Sequence, residues 1–389
     1  MKLGIAAMGL ATPIGVGKAA TAETLFTGTR AGLRYETAIH ADRQVRVGRI
    51  DAALPAASTR NDGLIRLVLD QITGELAQAK ARYGADRIAV ILGTSTSGIA
   101  EGEGAFSAKK RDGAWPAGYH YRQQELGCLA EGAAAYLGLT GPSYTIATAC
   151  SSSAKVFASA RRLMAAGLCD AVVVGGADTL CDTTINGFAT LDAMSRGLCQ
   201  PFSRNRDGIN IGEGAAAFLL TPEKAEVALL GVGESSDAYH LSAPDPNGAG
   251  AAAAMSAALA DAGLTRDDIG YVNLHGTGTQ LNDAMEGIAV AEVFGGGTPC
   301  SSTKGMTGHL LGAAGACEAA FLYLALHHAY GAGRLPPHVW DEELDPGIPA
   351  LNFVQAGARL DLNAGPAMLS NSFAFGGSNM ALILGRGGR

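Results

Sequence analysis

Short, mainly apolar runs recur along the chain at 3–8, 87–93, 143–148, 171–175 and 215–221, each the length of a buried strand. Between them, 62–80 and 152–166 carry apolar residues at helical spacing, and the second run stops at Gly167. Strands alternating with helices predict an α/β fold. RIAVILGTSTS at 87–97 and GYVNLHGTGTQ at 270–280 echo each other, each an apolar run that opens into a Gly/Thr loop. That echo points to two similar halves within one chain.

Composition narrows the classes. A chain of 389 residues with 48% hydrophobic content can bury a large core, and its length allows two or three average domains. With 54 glycines and only 6% aromatic residues, packing must rely on small-residue helices and tight loops. Net charge is −7 and the basic residues are scattered, so neither nucleic acid nor an anionic membrane is an expected partner. Cys128, Cys150, Cys169, Cys181, Cys199, Cys300 and Cys317 form no CxxC pair and no zinc-like grouping; no metal is expected, and a reducing cytoplasm fits best. The N-terminal LGIAAMGLATPIGVG imitates a signal peptide, but Gly4, Gly9, Pro13 and Gly15 punctuate it, and it is read as a first strand and turn. No apolar stretch approaches the ~20 residues of a membrane helix. GEGAAA at 212–217 and GVGKAA at 15–20 are incomplete nucleotide-loop patterns and predict no nucleotide.

Three segments carry chemistry. In SYTIATACSSSAKVF, Tyr144 to Thr148 reads as a buried strand and Ser151 to Ala166 as a helix, so Cys150 falls near a helix N-terminus. Unpaired N–H groups and the positive dipole end there favour a thiolate, below the free value of about 8.5. The plainer reading is a small cysteine that only packs. In YVNLHGTGTQLND, Tyr271 to Leu274 reads as a strand ending on His275, followed by a Gly/Thr loop open to a ligand. In SSTKGMTGHLLGAAG, Lys304 and His309 flank a glycine-bearing stretch before an Ala-rich helix with Glu318, which is suited to neutralise Lys304. A nucleophilic cysteine with two histidines at loop mouths points to acyl transfer.

These segments resemble the beta-ketoacyl-acyl-carrier-protein synthases, specifically the elongating class with a Cys-His-His triad. The resemblance extends to MGLATPIG at 8–15, GPSYTIATAC at 141–150, RDGINIGEGAA at 206–216, SSDAYHLSAPDPNGAG at 235–250 and NSFAFGGSN at 371–379. It implies a thiolase-like fold, with two related halves in a five-layered α/β/α/β/α body. The division is placed near 230, giving 1–230 with the nucleophile and 231–389 with both histidines and a gating loop. It also implies Cys150 as the acyl acceptor and His275 and His309 as donors to an enolate formed when malonyl thioester loses carbon dioxide. Lys304, paired with Glu318, supports the His309 loop. Backbone N–H groups of Cys150 and Phe375 form an oxyanion hole, with Phe375 as gate. Thr277, Thr279, Gly376 and Gly377 are candidates for substrate binding, the threonines for the phosphopantetheine arm. As ordinary loop residues those threonines would cap turns. No cofactor is implied, because the substrates ride on the phosphopantetheine of an acyl carrier protein. A homodimer, or a heterodimer with a nucleophile-lacking chain-length partner, is implied as the assembly.

Docking of an acidic carrier gives a use to the basic run Lys109, Lys110 and Arg111, whose plainer reading is a solvated loop, and to Arg204 and Arg206. Several positions depart from the family. Ala374 and Ser378 stand where the gating loop usually has glycine and threonine, so Ala374 is expected to restrict that loop. The small, acidic 98–106 segment replaces larger apolar residues near the acyl tunnel, and Asp192 replaces a basic docking residue. Ala374 and the acidic segment tilt the pathway from fatty-acid synthesis towards a polyketide or polyene. A thiolase is the weaker alternative, because Cys300 and Cys317 lie outside the position matching its second cysteine and His309 fits the synthase. An initiating synthase would carry asparagine for the second histidine, and a cysteine hydrolase gives no reason for GHLLGAAG.

Overall fold

The computed structural model describes residues 1–36 and 44–387. Ten strands carry the fold: β1 (Leu3–Thr12), β2 (Ile88–Gly93), β3 (Ser143–Ile146), β4 (Ala171–Asp178), β5 (Gly214–Thr221), β6 (Val227–Ser236), β7 (Ile269–Asn273), β8 (Pro299–Ser301), β9 (Ala367–Ala374) and β10 (Ser378–Arg386). Their order is β8-β7-β9-β10-β6-β1-β5-β4-β2-β3, with Asn352–Phe353 flanking β8. Reading outward from the centre, β1-β5-β4-β2-β3 and β6-β10-β9-β7-β8 repeat one pattern. Two antiparallel steps are followed by two parallel ones in each. Among the described residues the two halves of the sheet pair only at Leu3↔Leu229 and Gly4↔Ala228. In this pattern β2 and β7 are counterparts, which is the echo between 87–97 and 270–280.

Layering follows from strand alternation, since successive side chains point to opposite faces. Ile88, Val90 and Leu92 of β2 pack outward against α1 (Arg60–Leu69), α2 (Thr73–Tyr83) and α4 (Cys128–Leu137). Ala89 and Ile91 point inward to a core shared with α5 (Ser152–Ala165) and α9 (Ala314–Leu326). On the other half-sheet, Ala381 and Ile383 of β10 face α7 (Ala249–Ala262) and α8 (Gln280–Phe294), whereas Met380, Leu382 and Leu384 face the shared core. The order is helix, sheet, helix, sheet, helix: the expected five-layered, thiolase-like α/β fold.

Every residue of α9 is buried, as a helix sandwiched between two sheets must be. Its small N-terminal residues bring it against α5. A Cβ at Gly315 would lie 2.6 Å from the Ala154 side chain and 2.8 Å from its backbone nitrogen. This close approach places the residues before both helices, Cys150 and His309, at the same end of the central layer.

Three local expectations are corrected. The helix predicted over 62–80 breaks at Asp70–Ile72 into a 3₁₀ turn. There the Gln71 side chain accepts from Leu10 N (3.0 Å) and donates to Leu10 O (3.2 Å), tying the break to β1. The strand expected at 144–148 is β3, half-buried because it ends the sheet, and Thr148 leaves it to donate its N–H to Ser152 Oγ (2.9 Å). Lys109, Lys110 and Arg111 form the last turn of helix α3 (Ile99–Asp112), where cations oppose the negative dipole end, and not a loop. No helix among the described residues is long and apolar enough to cross a membrane.

Candidate active site

Cys150 lies between β3 and α5, at an elbow that requires an unusual backbone. Ala149 adopts φ 49°, a left-handed conformation that costs a non-glycine residue roughly 1–3 kcal/mol. The serines after the cysteine hold the elbow: Ser151 Oγ donates to Thr148 O (2.9 Å) and Ser152 Oγ to Ala149 O (2.6 Å). Ser153 Oγ accepts from Ala316 N (2.9 Å), stitching α5 to the start of α9.

His275 follows β7. Its N–H and that of Gly276 donate to the two oxygens of Glu286 on α8, both at 2.7 Å, and Asn371 Nδ2 adds a third bond (3.1 Å). Burial pushes the Glu286 carboxyl up to about 7 against the pull of these donors. Asp283, one turn earlier, accepts from Gly278 N (3.1 Å) and Phe202 N (2.8 Å). His309 is clamped to the Ile211–Gly212 strand, with His309 N donating to Asn210 O (2.6 Å) and Gly212 N to His309 O (2.9 Å).

These loops converge. His309 Nε2 lies 3.0 Å from Cys150 Sγ, and the His275 and His309 rings meet edge to face with centroids 5.3 Å apart. One ligand-type atom from each of the three residues falls within 4.8 Å of the others. That is also the one grouping among the described residues with the spacing of metal ligands. All three line a cavity of about 730 Å³ that opens past Phe188, Leu191, Leu281 and Phe375.

Burial dominates the electrostatics. It pushes the Cys150 thiol up to about 12, although the Lys304 charge pulls the other way. The thiolate expected from the helix N-terminus is therefore corrected: at 7% exposure the sulfur loses more hydration than the dipole returns, and it rests as a thiol. Burial first, then the Lys304 charge, holds His309 and His275 well below the usual histidine range; for His275 the neighbouring His309 adds to this. Both rings are neutral. Among the described residues their Nδ1 atoms have no hydrogen-bond partner, so no contact there locks either tautomer.

Lys304 and Glu318 form a buried ion pair behind this trio and do not line the cavity. Burial raises the Glu318 carboxyl, and its second oxygen has no hydrogen-bond partner among the described residues. Thr277 and Thr279 line the cavity, their hydroxyls 2.9 Å apart. Phe375 is 40% exposed at the tip of the β9–β10 hairpin and leans on Phe188, with centroids 5.6 Å apart. Gly376 and Gly377 do not line the cavity; they turn the hairpin at φ 82° and 79°. Ala374 pairs with Ser378 and is not left-handed, so glycine is not required there.

Other expectations move. The 98–106 segment contributes nothing to the cavity lining. Its acids serve helix starts, with Glu103 accepting from Asp182 N (2.9 Å) and Thr183 N (2.6 Å), and Glu101 from Arg60 N (2.7 Å). Arg206 is buried and paired with Asp345, donating also to Ser203 O (2.8 Å), so it is no docking residue; Arg204 is exposed beside Glu343. Asp192 is exposed on the cavity rim. Cys300 and Cys317 are buried away from the lining, in β8 and α9.

Family models match both parts of the chain: "Beta-ketoacyl synthase, N-terminal domain" over 2–226 and "Beta-ketoacyl synthase, C-terminal domain" over 226–338. A mitochondrial 3-oxoacyl-[acyl-carrier-protein] synthase of Arabidopsis thaliana is 36% identical over 63% of this chain, and the match spans 57% of that protein's length. The 3-oxoacyl-[acyl-carrier-protein] synthase 2 of Staphylococcus aureus is 34% identical over 77% of this chain and 75% of its own. Among solved structures, the ketosynthase ApeO, in complex with its chain length factor ApeC from Xenorhabdus doucetiae, is 45% identical. It superposes with a TM-score of 0.94 over 99% of this chain and 98% of that one. With two neutral imidazoles beside a buried cysteine at the end of a thiolase-like central layer, the chain belongs to the beta-ketoacyl synthase family, in its elongating Cys-His-His form.

Proposed function

We propose that this ketosynthase transfers an acyl group from an acyl carrier protein to Cys150 and condenses it with malonyl carrier, releasing carbon dioxide. The observation that carries the reading is the meeting of Cys150, His275 and His309 in one cavity. In the first half-reaction Sγ attacks the thioester carbonyl as its proton passes to His309 Nε2, 3.0 Å away, and then to the departing pantetheine sulfur. The oxyanion is held by the N–H groups of Cys150 and Phe375. In the second, malonyl loses carbon dioxide, and the enolate oxygen accepts Nε2–H bonds from both histidines. The free Nδ1 atoms support this, because His309 must accept at Nε2 in one step and donate there in the next. The enolate carbon then attacks the acyl carbonyl, a C–C bond forms, the C–S bond breaks, and the Cys150 thiolate so released takes up a proton from solvent, the first proton having left on the pantetheine thiol. The Lys304 charge, paired with Glu318, raises the cost of protonating either ring.

Thr277 and Thr279 hold the pantetheine arm, and Gly376 and Gly377 act through the shape of the Phe375 hairpin. The carrier docks over Leu191 and Leu281, both exposed at the cavity mouth. The chain divides near 230, with the nucleophile before and the histidines after; the repeated strand order and the family-model boundary at 226 support this. The likeness to ApeO, whose structure contains a chain length factor, favours a heterodimer with such a partner and a polyketide or polyene product. Seven free cysteines favour a reducing cytoplasm, and the reaction uses no cofactor beyond the carrier's arm. Intact-protein mass spectrometry after incubation with acyl carriers of graded length tests the reading. A single acyl adduct on wild type, absent from Cys150→Ala, is expected; free fatty acid without an adduct or condensation product would indicate a hydrolase.

A further inference from the structure

The fully buried Asp178, at the end of β4, takes no part in the chemistry above yet gathers more donors than any catalytic side chain. It accepts from Thr94 Oγ1 (2.6 Å), Ser95 N (2.8 Å) and Oγ (2.5 Å), Thr96 N and Oγ1 (both 3.0 Å), and Gly312 N (2.6 Å). None of these is a cation. Five belong to the loop after β2, in the half-sheet that carries Cys150. The sixth belongs to the turn three residues beyond His309.

The turn is built around this contact. A Cβ at Gly312 would lie 2.8 Å from Asp178 Oδ2 and 2.8 Å from Ser95 N, so only glycine allows the approach. Leu311, immediately before it, is left-handed at φ 52°; Ser97, whose N–H is held by Thr94 Oγ1 at 3.0 Å, is left-handed at φ 46°. Two left-handed residues thus adjoin the segments that bind this carboxylate. Such conformations persist only where neighbouring bonds over-determine them.

We propose that Asp178 is a positioning residue that fixes the distance between His309 and Cys150 by tying the His309 turn to the nucleophile's half of the sheet. The inference rests on the ketosynthase reading, and it assigns Asp178, Ser95 and Gly312 one shared task. A carboxylate fits because it only accepts, and all six groups facing it donate. In Asp178→Asn an amide NH₂ must face some of them, freeing Gly312 or the 94–96 loop. A displacement near 1 Å costs roughly 10²-fold in rate where the reacting groups must be aligned.

The test measures condensation kinetics, Cys150 loading and thermal unfolding on purified Asp178→Asn and Ser95→Ala. Ser95→Ala removes one donor and leaves the fold intact, so it reads the proposal even if Asp178→Asn does not fold. The expected result is a kcat lower by about 10- to 100-fold for Asp178→Asn and by a smaller factor for Ser95→Ala, with KM for the carrier unchanged. A folded variant that melts earlier but keeps wild-type kcat would overturn it, since a merely structural acid moves stability alone. Wild type that fails to load Cys150 would instead sink the ketosynthase reading.

Discussion

His309 Nε2 stands 3.0 Å from the Cys150 sulfur across 159 residues of chain, and both side chains are buried and uncharged at rest. A neutral thiol beside a neutral imidazole stores no ion pair. In the proposed reaction the proton moves as the sulfur attacks, so reactivity would depend on the ring remaining unprotonated. An imidazole held well below its usual range shifts the acid limb of the rate profile to lower pH. We expect kcat/KM for acyl transfer to stay level from pH 8 to about pH 6. A fall centred near 6.5, the value of a free histidine, would show that His309 is solvated.

The same burial acts on stability. Folded His275, His309 and His338 are held below their unfolded value and so bind fewer protons than the open chain. Stability from these groups is complete above about 6.5 and is lost as pH falls below it, by about 1.4 kcal/mol per pH unit for each histidine. Glu286, pushed up to about 7 in the folded state, takes up a proton over the same range and offsets about one histidine; urea midpoints at pH 7.5 and 5.5 check the remaining fall, and a higher midpoint at the lower pH would contradict it.

Lys304 and Glu318 separate stability from function. Removing one partner leaves a buried charge, so Glu318→Gln is expected to lower stability by about 3–5 kcal/mol. Replacing both, as in Lys304→Met with Glu318→Leu, returns most of that stability while leaving condensation impaired, because the charge behind the rings is gone. Denaturant melts together with turnover distinguish the two effects.

Glu286 is the backbone anchor of His275. Glu286→Ala leaves two buried N–H groups without an acceptor, each worth roughly 1–3 kcal/mol. Decarboxylation of malonyl carrier should fall further than acyl loading, since loading proceeds at Cys150 and His309. Equal losses in both rates would indicate general unfolding.

Much of this was legible in the sequence, for identifiable reasons. The strand alternation and the echo between 87–97 and 270–280 are local patterns, and Cys150, His275 and His309 each sit in a short segment that resembles the family; local pattern is what a sequence displays. Asp178, Asp283 and Glu286 are not evident in the sequence because their partners are mostly backbone N–H groups and hydroxyls of distant loops, which no residue letter pairs with them. One signal was present: Asp283 and Glu286 are acids three apart on a helix with otherwise mostly small and apolar residues. The thiolate expectation failed because a helix N-terminus can be read from sequence but the hydration of a sulfur cannot. The acidic 98–106 segment was taken for tunnel lining because nearness in sequence to a family feature does not reveal which helix N-termini its carboxylates reach.

The most direct test of the account is carbon dioxide release from malonyl carrier by wild type, His275→Ala and His309→Ala, with Cys150 loading followed by mass on the same samples. The account predicts that both variants still acquire the acyl adduct, more slowly in His309→Ala, and release carbon dioxide at less than about one hundredth of the wild-type rate. Normal carbon dioxide release from both variants would contradict it.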